Sequence, residues 1–320
     1  MFIYTVRRFN LFLITLLILT LVGYSLLRLD PFSPWSQQGY WSGWTVYLGE
    51  LTHLNFGTNK NGIPVAKELA MVFPATMELC VIAFIFSLLV GIPLGTVAGM
   101  KQGKWVDTLI KFVSMSGYSA PIFWVALMMI MVLSLHYQFF PVSGRYDLLY
   151  DVKRVTGFSL IDAFLAQGPF RSYALQSVIE HMILPCLVLA ISPTTQVITL
   201  MRTSVSHVMS QNYIRAARIK GLSNFEIVTQ HVLRNAIPPI VPKFGVQLSS
   251  MLTLAIVTES IFDWPGIGRW LLDALSSQDY VAIQAGVIVV GALVLTAIII
   301  SDLIGAMVNP LVRKEWYANK

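Results

Sequence analysis

YIRAARIKGLSNFEIVTQHVLRNAIPP, residues 213–239, is a basic, helix-forming stretch set between long uncharged segments. Gly221 divides it. Glycine supplies the left-handed conformation that stops one helix, and Ser223 with Glu226 forms an S-x-x-E capping box that starts the next. Phe225, Val228 and Val232 recur at three- and four-residue spacing, with Leu233 on the flank, and give the second helix an apolar stripe that Pro238 and Pro239 limit. Three uses fit this pattern: an amphipathic helix resting on lipid, a helix-turn-helix reader of DNA, and a short helix that fills a groove in a partner. The basic residues Arg215, Arg218, Lys220, Arg234 and Lys243 also suit anionic lipid, each worth roughly 1 kcal/mol near such a surface. A stretch tethered at both ends by membrane spans docks poorly on a duplex, so nucleic acid is set aside as a partner.

The flanks establish those spans. The chain of 320 residues is 56% hydrophobic and 12% charged, against about 25% charged in soluble domains. Uncharged runs cover 9–27, 79–100, 112–144, 182–201 and 280–301, most reaching the roughly 20 residues needed to cross hydrocarbon. A sixth run, 244–258, is short and ends at Glu259, but extends to Phe262 if that carboxylate lies near a surface. The expected fold is an all-α integral membrane protein with six transmembrane helices. Arg7 and Arg8 precede the first run as they would a signal peptide, yet the run is too long and no small-residue cleavage pattern follows Leu27, so it reads as an uncleaved helix. Of the 22 Lys and Arg residues, 14 fall on the side that holds both termini and the loop 202–243, which places that side in the cytoplasm. Cys80 and Cys186 fall inside spans and read as buried, inert thiols.

The expected organisation is a first span within 1–28, an external segment at 29–77, a core at 78–310 and a cytoplasmic tail at 311–320. A second external segment, 141–180, interrupts the core, with short surface helices expected at 160–165 and 173–180. Gly91, Gly95 and Gly99 repeat at four-residue spacing, which permits close helix contact in hydrocarbon. Pro121 and Pro193 sit within spans, where each frees a carbonyl that needs another partner, and both are candidate kinks beside a pathway.

The opening stretch resembles the EAA loop of ABC-importer membrane subunits, specifically the dipeptide and oligopeptide permease branch. Arg215, Ala216 and Ala217 occupy the three positions that name the motif, Gly221 is its glycine, and His231, Leu233, Arg234, Asn235 and Ala236 match the branch's usual ending. Arg215 replaces the glutamate of the general motif, which fits the peptide branch better than a sugar permease. Further similarity runs through Asp30 and Pro31, GIPLGTVAGM at 91–100, FPVSGR at 140–145, ESIFDWPGIGRWLLDALSSQDY at 259–280 and NPLVR at 309–313.

The resemblance implies a type I, MetI-like permease fold that supplies half of a translocation path. It also implies a second permease subunit, two cytoplasmic ATPase subunits that carry ATP and magnesium, and a periplasmic solute-binding protein. Cationic peptides or polyamines such as putrescine are the implied cargo, with neutral di- and oligopeptides as the alternative and the direction of transport open. In such an assembly Ile214, Phe225, Val228 and Val232 serve docking or packing, Ala216, Ala217 and Gly221 allow close contact, and the basic residues meet the groove edge or lipid.

The chain carries no G-x-x-x-x-G-K-[ST] phosphate loop, so the energy source lies in another chain. Its histidines, His53, His136, His181, His207 and His231, are not spaced as metal ligands, and no nucleophile motif appears; no cofactor and no catalysis are expected of it. Glu259 and Asp302 remain as ionisable residues in or near spans. Glu259 either contacts cargo, pairs with Arg269 or is solvated at the outer rim, and Asp302 is expected to pair with a base. A proton-coupled secondary transporter would put both acids on its path, but the chain lacks a clear internal duplication.

Overall fold

The computed structural model describes residues 2–30, 33–150 and 152–308. Pro31, the NPLVR motif at 309–313 and the expected tail at 311–320 lie outside the described residues. Apart from one isolated bridge between Thr58 and Pro64, the regular structure among the described residues is helical.

The apolar runs become α1 (Phe2–Leu27), α3 (Val65–Met100), α7 (Arg171–Met209), α11 (Phe244–Ile261) and α13 (Tyr280–Val308), with α2 (Tyr40–Thr52) between α1 and α3. These five long helices have the length and composition to cross a membrane. The run at 112–144 departs from the expected single span. It divides into α4 (Trp105–Ser119) and α5 (Ile122–Met129), which continues through wide turns to His136, and the two parts meet at 96°. Pro121 is the cause: it has no N–H to donate, and its ring pushes Ala120 out of the helical region to φ −76°, ψ 136°. Pro193 behaves differently, because α7 passes through both Pro185 and Pro193 as one helix of 39 residues.

The glycine ladder sets the central packing. A Cβ on Gly91 would lie 2.7 Å from Val197 Cβ, one on Gly95 2.6 Å from Met201 Cβ, and one on Gly99 2.7 Å from the Arg202 carbonyl oxygen. α3 and α7 therefore touch backbone to side chain along three turns, the dispersion-driven contact that small residues permit in lipid.

Outside the membrane core, α2 lays Tyr47 against Tyr24 of α1 and donates its hydroxyl to Gln284 of α13. α6 (Ser159–Leu165) matches the short helix expected at 160–165. The second expected surface helix, 173–180, is instead the opening of α7, since no breaker separates Glu180 from Met182. At the other end lie α8 (Asn212–Ile219), α9 (Asn224–Glu226) and α10 (Leu233–Ala236), and after the C-terminal end of α11 comes α12 (Ile267–Ser276).

Candidate functional site

The loop between α7 and α11 folds back on the helix it leaves. α8 ends in a Schellman turn, with Gly221 at φ +81° and with Gly221 N–H and Leu222 N–H donating to the Arg218 and Ala217 carbonyls at 3.0 and 3.2 Å. The next helix starts at the capping box, where Glu226 N–H donates to Ser223 Oγ at 3.2 Å and Ser223 N–H to Glu226 Oε2 at 2.7 Å. The Ser223 N–H, and after it the Ser223 hydroxyl, which donates to the same oxygen at 2.7 Å, hold the Glu226 carboxyl below its ordinary value. Residues 227–232 then form wide, π-type turns before α10.

The loop has an inward and an outward face. Ile214 and Ala217 of α8, with Ile227, Val232, Ala236 and Ile240, pack on Val197, Met201, Val205 and Val208 of α7. Ser204 Oγ ties α7 to the Ala236 carbonyl at 2.7 Å. Facing outward are Arg215, Ala216, Gly221 and Phe225, the last 76% exposed, while Val228 is half-buried. Of the expected stripe only Val232 is fully buried. Wide turns hold more residues than α-helical ones, so the inward phase shifts to Ile227. Ile219, 87% exposed, belongs with Phe225 to the loop's exposed residues and was missed because it lies in the first helix, outside the stripe.

A second feature forms at the helix break. A cavity of about 540 Å³ lies between α4, α5, α7 and α11, lined among others by Tyr118, Ala120, Ile122, Ser192, Gln196, Ser250 and Thr253. Its lining includes no Asp, Glu, Lys or Arg. Pro121 thus lies between two lining residues, and Pro193 is buried beside a third, Ser192.

Glu259 is placed elsewhere. It is fully buried, accepts from Thr76 Oγ1 at 2.6 Å, and receives the Gly268 and Arg269 N–H groups at 2.7 and 3.2 Å. Its carboxylate thereby holds the N-terminus of α12, where the helix dipole favours negative charge. The Arg269 side chain pairs with Asp263 instead, because the buried carboxylate is already engaged by backbone amides. Asp302 does find a base, Arg8, at 3.0 Å.

Two further acids escaped notice in the sequence. Glu78, 4% exposed, pairs with Arg145 and accepts from Ser159 N–H, Ser159 Oγ and Leu160 N–H at 3.1, 2.8 and 2.7 Å. Asp107 pairs with Arg202 at the opposite end of the chain's long helices. Among the described residues no group of His, Cys, Asp and Glu could hold a metal ion.

Residues 91–314 match the family described as "Binding-protein-dependent transport system inner membrane component". The chain is 51% identical to the "Putrescine export system permease protein SapB" of Escherichia coli (strain K12), over 99% of both chains. It is 50% identical to the "Peptide transport system permease protein SapB" of Salmonella typhimurium, again over 99% of each. With the "Dipeptide transport system permease protein DppB" of Escherichia coli (strain K12) it shares 40% identity over 86% of this chain and 81% of that one. The fold also resembles the MetNI methionine ABC transporter in an inward-facing state, at TM-score 0.52 and 14% identity, covering 73% of this chain and 93% of the other. A multi-pass helical protein of this kind is a transport subunit of the inner membrane that works with permease and ATPase partners. The chain belongs to the binding-protein-dependent transport system inner membrane component family.

Proposed function

We propose that this chain forms half of an ATP-driven path for cationic peptides or polyamines and couples to two cytoplasmic ATPases through the loop at 202–243. The observation that carries this reading is the two-faced loop. One face is locked to α7 by Ile214, Ala217, Ile227 and Val232, and the other presents Arg215, Ala216, Gly221 and Phe225. A helix so anchored transmits a push to α7 as a rigid body, and its exposed small residues admit a groove wall closely. ATP and magnesium belong to the ATPases, a second permease subunit completes the path, and a periplasmic binding protein meets the external segments. Both termini are assigned to the cytoplasm from the Lys and Arg balance.

The cavity beside Pro121 and Pro193 is the assigned cargo position. A path for cations avoids unpaired positive charge, since like charge in a low-dielectric channel repels cargo strongly, and this lining carries none. The same lining accepts neutral di- and oligopeptides, which are the second reading, favoured by the similarity to the dipeptide permease. A proton-coupled carrier would need a titratable acid on the path, whereas Glu259 is engaged by Thr76 and α12. Glu259 is therefore assigned to the frame of the outer end and not to the cargo surface.

Sealed vesicles containing the whole complex test the reading. ATP should drive directional flux of radiolabelled putrescine or of trilysine, and the direction gives import or export. Flux that persists without ATP, or without this chain, would defeat it.

A further inference from the structure

Gln247 stands out among the buried polar side chains of the membrane core. It is 3% exposed, yet neither its Oε1 nor its Nε2 meets a protein hydrogen-bond partner among the described residues. Burying an amide without partners is costly, and apolar replacement of such a group is commonly neutral or favourable to stability. A core with such a residue is less stable than one with leucine there, which calls for a use outside this conformation.

Its position suggests the use. Gln247 lies on α11 one turn before Ser250 and two turns before Leu254, both of which line the 540 Å³ cavity. Residues three and seven apart share a helix face. Gln247 thus continues the cavity's polar stripe toward the end of α11 that follows the loop 202–243, beyond the last lining residue on that helix. Gly245, two residues earlier and on the opposite face of α11, packs against the α13 backbone, with a Cβ there falling 2.7 Å from Ile298 Cα, so this end of α11 is held from behind while Gln247 points the other way.

We infer that Gln247 is the inner-gate residue of the path, buried and unpartnered while the gate is shut and facing cargo when it opens. This rests on assigning the cavity as the cargo position. Its amide oxygen would accept from an ammonium group and its amide nitrogen would donate to a peptide carbonyl. The residue therefore suits amines and peptides without requiring charge on the protein.

The test uses the whole complex in inside-out vesicles. Gln247→Cys should react with a membrane-impermeant methanethiosulfonate during ATP turnover and be protected in at least one trapped nucleotide state, against a background of buried Cys80 and Cys186. Gln247→Leu should raise the unfolding temperature of the complex while cutting flux of putrescine and trilysine at least tenfold. A structural role predicts the reverse, a lower unfolding temperature with flux falling only as complex is lost. Absence of labelling at position 247 in every state, with Ser250→Cys labelled, would overturn the gate and leave the cavity assignment standing. Absence at both positions would overturn the cavity assignment as well.

Discussion

Arg202 grips Asp107 with two parallel hydrogen bonds, Nε to Oδ1 at 2.5 Å and Nη2 to Oδ2 at 2.8 Å, joining the first turn of α4 to α7. The carboxylate side chain is 3% exposed and the guanidinium 20%. Removing Arg202 leaves a buried carboxylate without its counter-charge, held only by the Gly103 N–H at 2.9 Å. Arg202→Ala should cost on the order of 2 kcal/mol in the thermal unfolding of the purified complex. The double change Asp107→Leu with Arg202→Met should recover most of that loss.

Gly95 admits no side chain. A Cβ there would lie 2.6 Å from Met201 Cβ and 2.7 Å from the Ile198 carbonyl oxygen, while one on Gly49 would meet nothing within 4 Å. Gly95→Ala should destabilise the chain by roughly 1–3 kcal/mol, whereas Gly49→Ala in α2 should be neutral or slightly stabilising. Paired denaturation curves of the two variants check this contrast.

The outward and inward residues of the loop should separate experimentally. Ile219→Ala and Phe225→Ala, both at exposed positions, should reduce retention of the ATPase subunits at least several-fold while the chain inserts and folds normally. Val232→Ala removes packing against α7 and should lower the chain's own stability by about 1–2 kcal/mol. If all three variants retained the ATPases equally, the coupling role would be lost.

Glu259→Gln replaces a carboxylate oxygen with a donor beside the Gly268 and Arg269 N–H groups. The amide keeps a single acceptor oxygen, which can serve the α12 N–H groups or the Thr76 hydroxyl but no longer both. Flux of a cationic and a neutral probe should fall together, by a similar factor. A selective fall for the cation would return Glu259 to the cargo surface.

Asp162 provides a pH signature outside the membrane core. Burial opposes its ionisation, but the N–H and hydroxyl of Thr156 with the N–H groups of Gly157 and Val155 hold the carboxyl below its ordinary value. Its stabilising contribution is present in full above the unfolded value of about 3.9 and fades as pH falls through the depressed one. Asp162→Asn should therefore be less stable than the parent at neutral pH, with the gap closing in acid.

What was legible in the sequence followed from local pattern. Uncharged length gave α1, α3, α7 and α13, the glycine spacing anticipated a close helix contact along α3 without naming α7 as its partner, and Ser223 with Glu226 marked a helix start that the bonds reproduce. Pro121 signalled a kink, but the 96° angle depends on what α4 and α5 each pack against. The ion pairs were illegible because their partners are 67 and 95 residues apart, so only the fold brings them together. The wide turns at 227–232 have no known signature in residue type, and they moved the buried phase from Phe225 to Ile227.

The interruption at Ala120–Pro121 also gives the cavity mechanical compliance on one side only. Bending an intact helix means breaking backbone bonds in hydrocarbon, where water offers no replacement. Here the Pro121 carbonyl already bonds forward to Trp124 and Val125, at 3.0 and 3.1 Å, and Ala120 is already extended. The angle between α4 and α5 can change while the helical bonds on both sides stay intact, and the facing wall, α7, runs past the cavity as one continuous helix. The width of the cavity can thus change at one joint without the loss of a helical bond.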